Sequence, residues 1–102
     1  MLIACGVLSG CRRNDFRTIT IDVPGMKNQG CATIVAESVT RAFGIPRDRI
    51  LTDLARRTIT VTYDSLNMSL KNLEACIAES GFTANTIPAK PEAVANLPPE
   101  CR

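Results

Sequence analysis

The chain has 102 residues, a formal net charge of +2, 45% hydrophobic and 22% charged residues. These values fit one ordinary globular domain with a modest core and exclude long disorder or a collagen-like repeat. So weak a positive charge, without a basic run and with only three Phe and one Tyr for stacking, excludes a nucleic-acid partner. The absence of histidine removes the commonest general base and the commonest metal ligand together, so any chemistry falls to thiols and carboxylates.

Residues 1–11 read MLIACGVLSGC, an apolar run without charge that ends abruptly at Arg12 and Arg13. The run is too short to span a membrane as a helix. It has the apolar core of a secretory signal but lacks the usual basic leader, which a start upstream of Met1 would supply. Leu8-Ser9-Gly10-Cys11 resembles a bacterial lipobox. That resemblance implies cleavage before Cys11, lipidation of Cys11, a lipid-anchored location in the cell envelope and a tether over residues 12–17. The alternative is a cytoplasmic protein with an N-terminal extension.

The folded domain is expected over residues 18–87. Thr18 to Val23 alternates with period two, placing Ile19, Ile21 and Val23 on the buried face of a strand that Pro24 and Gly25 end. Val35, Val39, Ala42 and Phe43 recur at helical spacing from about Cys31, and Gly44 is a C-terminal stop. Ile50 to Leu54 and Thr58 to Tyr63 predict a hairpin around Ala55-Arg56-Arg57. In its second strand Ile59, Val61 and Tyr63 face inward and three threonines face outward. Ser69 is a candidate N-cap for a second helix with Leu70, Leu73 and Ile77 buried and Gly81 at its end. Phe82 to Ile87 is expected to be a short last strand. The segment 88–102 carries Pro88, Pro91, Pro98 and Pro99 with little periodicity, and reads as an extended, mostly disordered tail. Strand, helix, strand, strand, helix, strand is the split βαβ order. It predicts an α+β, ferredoxin-like βαββαβ sandwich with a four-stranded antiparallel sheet and both helices on one face.

The cysteines at 5, 11, 31, 76 and 101 are odd in number and lack Cys-x-x-Cys spacing, which argues against a disulfide framework or a structural zinc site. Gly25-Met26-Lys27-Asn28-Gln29-Gly30-Cys31 resembles the Gly-Met-x-Cys-x-x-Cys metal-binding loop of heavy-metal-associated domains. That is the fold of copper chaperones, mercury-binding periplasmic proteins and the N-terminal modules of soft-metal ATPases. The likeness extends to Ala32, Val35 and Val39 in the first helix, Gly44-Ile45, Thr62-Tyr63-Asp64 and Glu79-Ser80-Gly81-Phe82. A longer connection around Arg47 to Arg49 and Asn28 in place of the first metal cysteine depart from the pattern.

The resemblance implies that Cys31 is the metal ligand, that Met26 packs inward beneath the loop, and that Phe82 covers it. Lys27 is placed to balance an anionic complex or to be solvated, and Cys76 is expected in the core. Cys31 stands at the start of a helix, where unpaired N–H groups and the helix dipole favour a thiolate. A thiolate suits Cu(I), Hg(II), Zn(II) or Cd(II), whereas the amide oxygen of Asn28 adds little for the softest of these. The second sulfur would come from another copy of Cys31 in a metal-bridged homodimer, from a partner protein, from a small thiol, or from Cys101. The function expected is soft-metal carriage or sensing, with a metal transporter or another metal-binding protein as partner. The alternatives are a protein-interaction module without metal and a thiol-redox protein. Hydrolytic enzyme chemistry is disfavoured, since Cys31 has no histidine to serve as its base.

Overall fold

The computed structural model describes residues 15–102. The first strand, β1 (Phe16–Asp22), begins two residues before the alternation predicts, and α1 (Gln29–Phe43) follows the loop. Gly44, at φ 71°, returns its N–H to the carbonyl of Thr40 and closes the helix in the left-handed conformation that glycine adopts without a steric penalty. The longer connection is a 3-10 turn, Arg47–Arg49. β2 (Ile50–Asp53) and β3 (Thr58–Asp64) form the expected hairpin, with Leu54 in the turn rather than the strand. The second helix, α2 (Leu70–Glu79), starts at Ser69 in a capping box with Asn72.

The sheet has three strands in the order β1-β3-β2, each pair antiparallel, with Ile19 opposite Val61 and Ile21 opposite Ile59. Their inner faces share one core with Ala32, Val35 and Val39 of α1 and Leu73 and Ile77 of α2. On the outer face the Thr18 and Thr62 hydroxyls lie 2.9 Å apart and those of Thr20 and Thr60 3.1 Å apart, as cross-strand hydrogen bonds.

The four-stranded sheet of the sequence reading is corrected to three strands. Phe82 to Ile87 curls on itself, Ala84 and Ile87 exchanging main-chain hydrogen bonds of 3.0 and 2.8 Å. The cause is Asn85, whose φ of 53° is left-handed and ends any extended run. Asn85 substitutes for the strand locally: its N–H donates to the Asp22 carbonyl (2.8 Å), its Oδ1 accepts from the Asp22 N–H (2.9 Å), and its Nδ2 donates to the buried Glu74 carboxylate (2.7 Å).

The extended tail is also corrected. Residues 88–102 fold back as α3 (Pro91–Ala95) and a 3-10 turn (Pro99–Cys101), with Leu97 and Cys101 buried. Leu70, expected inside, is 36% exposed, because it is the first residue of α2 and lies beside its cap rather than over the sheet.

Candidate functional site

Everything expected at the site except Cys11 lies on the segment from Val23 to Cys31 or packs against it; Cys11 is outside the described residues. Val23, Pro24, Gly25 and Met26 form a turn closed by the Met26 N–H on the Val23 carbonyl at 3.0 Å. Arg57, at the end of the hairpin turn, ties this loop to the sheet. Its carbonyl accepts from the Val23 N–H (2.8 Å) and its guanidinium donates to the Pro24 carbonyl (3.1 Å). Met26 is fully buried and Phe82 is 1% exposed. The ring of Phe82 lies so close beneath Gly25 that a Cβ there would meet it at 3.3 Å. Met26 is thus the anchor of the loop and Phe82 its floor.

Asn28 has a definite structural task in the position where a ligand cysteine was absent. Its extended backbone (φ −148°, ψ 177°) makes it the N-cap of α1, and its Oδ1 accepts the Cys31 N–H at 3.0 Å. Asparagine is among the best N-caps because its short carbonyl reaches a donor that the helix leaves unpaired. Gly30 leaves room for that oxygen, which would lie 3.2 Å from an added Cβ. Gln29 and Gly30 are exposed.

Cys31 is fully buried and disulfide-bonded to Cys101, with Cα atoms 5.7 Å apart across a sequence separation of 70. The count and spacing of the cysteines argued against a disulfide framework, and the structure holds a single bond among the described residues, between Cys31 and Cys101, which that argument did not foresee. The tail that delivers Cys101 is held at several points: Lys90 N–H on the Ala78 carbonyl (2.9 Å), Ala89 N–H on Thr83 Oγ1 (3.2 Å), and Lys27 Nζ on the main-chain oxygen of Arg102 (2.8 Å). Leu97 packs onto Gly81, which stands at φ 105° and where a Cβ would come within 2.9 Å of Leu97 Cδ1. Gly81 therefore serves the backbone turn and the seat of the tail at once. Lys27 is part of this latch rather than simply solvated.

Cys76, expected in the core, is only half-buried and unpaired; its thiol faces the Ser38 carbonyl at 3.5 Å. Burial first, and the nearby Glu79 carboxylate second, push this thiol above its ordinary pKa and keep it protonated. Sequence reasoning missed Leu97, and it read Gly81 as a helix end without its role as the seat of the tail. The available signal was proline at the first position of both tail helices, Pro91 and Pro99, where a fixed φ favours a helix start rather than a disordered run.

Among the described residues no group of three or more Cys, Asp or Glu side chains is gathered for an ion. The donors that meet are two sulfurs. An open groove of about 660 Å³ on the outer face of the sheet, bordered by Thr20, Leu51, Asp53 and Thr60, shares only Gln29 with the Cys31 loop.

No protein-family profile and no characterised protein sequence matches the chain. Solved structures do. Oxidised MerP from Ralstonia metallidurans CH34 is 24% identical with a TM-score of 0.63, over 70% of this chain and 96% of that one. A candidate copper-ion-binding protein from Bacillus anthracis str. Ames is 29% identical with a TM-score of 0.62, over 72% of this chain and all of the other. The copper chaperone Atx1 from Synechocystis PCC6803, in a trimeric form, is 19% identical with a TM-score of 0.55, over 66% and 98%. The fold is that of the heavy-metal-associated domains. Within that fold this chain has a capped, single-cysteine loop, with a second cysteine brought to it by the C-terminal tail.

Proposed function

We propose that this heavy-metal-associated-like domain binds and transfers a soft metal ion through the thiolate of Cys31. The observation that carries the reading is the position of Cys31 in the first turn of α1, behind a loop anchored by Met26 and capped by Asn28. Neighbouring structures described as copper chaperone or copper-ion-binding protein support it. Reduced Cys31 would present a soft anion to the positive end of the helix, a donor suited to Cu(I) or Hg(II) ahead of Zn(II) or Cd(II). The partner is a metal transporter or another metal-binding protein that takes the ion by thiolate exchange. The role is that of a carrier rather than an enzyme. Lipidation at Cys11 would hold this carrier at the cell envelope.

The test is titration of the full chain with Cu(I) or Hg(II), anaerobically, after reduction with a phosphine. Tight binding by wild type and its loss in Cys31→Ser is the expected result; the serine variant should still fold, since a hydroxyl is accepted in the first turn of a helix. Equal affinity of the two proteins would overturn the reading.

A further inference from the structure

We propose that Cys101 is the second sulfur of the metal site, and that the Cys31–Cys101 disulfide is the closed form of that site. This rests on the reading of Cys31 as the metal-binding thiolate and adds the identity of its co-ligand and the switch that opens it. The sequence left the second sulfur to another chain, a partner, a small thiol or the tail. The fold selects the tail, because it places both sulfurs in one bond at the head of α1.

The placement does not depend on that bond alone. Leu97, 7% exposed, seats on Gly81, and the main chain of Lys90 is hydrogen-bonded to α2 through Ala78. Only residues 98–100 separate this seat from Cys101, so Cys101 stays beside Cys31 when the bond is cut. A metal captured by one of these thiolates meets the other within the same chain, at an effective concentration on the order of millimolar for a short tether. That favours one metal per chain over a metal-bridged pair of chains.

In the closed state neither sulfur can bind. Each sulfur is bonded to its Cβ and to the other sulfur and carries no thiolate charge, and Cys31 and Cys101 are 0% and 4% exposed. Opening requires a two-electron reductant, and a dithiol serves: one of its thiolates attacks a sulfur of the disulfide, and its second thiol resolves the mixed disulfide. Two electrons and two protons pass to Cys31 and Cys101, and the reductant leaves as its own disulfide. Hg(II) or Cu(I) then replaces the two thiol protons, which go to solvent. Metal capture and disulfide formation are therefore mutually exclusive states of the same pair of atoms.

The experiment uses the full chain with Cys5→Ser, Cys11→Ser and Cys76→Ser, leaving the pair as its only thiols. Oxidised and phosphine-reduced samples are titrated with Hg(II) or Cu(I), read by native mass and by X-ray absorption for the number of sulfur neighbours. The reduced parent should take one ion per monomer with two sulfur neighbours, and the oxidised parent none. Adding Cys101→Ser should abolish the one-to-one, two-sulfur complex. Leu97→Ala, which keeps both thiols but weakens the seat of the tail, should lower affinity by about tenfold, corresponding to the burial of part of one apolar side chain. Unchanged binding in Cys101→Ser with loss in Cys31→Ser would overturn the role of Cys101 and leave the Cys31 reading standing. Unchanged binding in both single variants would overturn both. Equal binding by oxidised and reduced parent would overturn the switch.

Discussion

The two long helices begin alike and end up with different tasks. At α1, Asn28 Oδ1 accepts the Cys31 N–H at 3.0 Å; at α2, Ser69 Oγ accepts the Asn72 N–H at 3.4 Å while Asn72 Oδ1 accepts the Ser69 N–H at 2.9 Å. Neither first turn carries an acidic residue, so both present uncompensated positive ends of comparable size. At α2 that end faces solvent beside the part-exposed Leu70. At α1 the core loop, the Phe82 floor and the tail surround it, and a buried sulfur occupies it. What sets the start of α1 apart as a candidate site is thus what the rest of the chain brings to it, not its dipole or its cap.

The largest perturbation of this contrast is reduction of the disulfide. Closing a loop across 70 residues is worth roughly 4 kcal/mol through restriction of the unfolded chain. Thermal midpoints should fall substantially on adding reductant, and a melt that ignores reductant would contradict the bond. The caps come next. Asn28→Ala and Ser69→Ala should each cost about 1 kcal/mol. The α1 variant should cost more in reduced than in oxidised protein, because the disulfide also holds that helix start; the α2 variant should cost the same in both. Equal costs at both helices in both redox states would remove the distinction. The smallest effect is expected at Leu70: Leu70→Ala should stay within about 0.5 kcal/mol in chemical denaturation, as for a surface position. A larger loss would mean that the start of α2 is packed as tightly as that of α1.

Much of this was legible from sequence because local rules and global fold agree. Period-two runs gave β1 and β3, glycine and serine gave the helix limits at Gly44 and Ser69, and the loop from Gly25 to Cys31 pointed to the candidate site. The fourth strand was misread because Phe82 to Ile87 has strand-like composition, while a single left-handed Asn85 redirects the backbone toward Asp22 and Glu74. Asn28 was read by what it lacks as a ligand, although its side chain is suited to the cap it forms. Cys101 was only one of four sources named for a second metal-binding sulfur, and its bond to Cys31 was not foreseen, because a contact across 70 residues leaves no local pattern. It follows from the seat of Leu97 on Gly81, which only the assembled fold reveals.

The central claim is that Cys31 and Cys101 form one site, and it is tested most directly by mapping thiols in the metal-free full chain after oxidation in air. The protein is alkylated in denaturant without reductant and digested after glutamate as well as lysine and arginine, which separates Cys76 from Cys101, and the fragments are weighed. A Cys31 fragment joined to a Cys101 fragment, with Cys76 alkylated, is the predicted result. Cys31 and Cys101 each carrying an alkyl group, or Cys31 joined to any other cysteine, would contradict it.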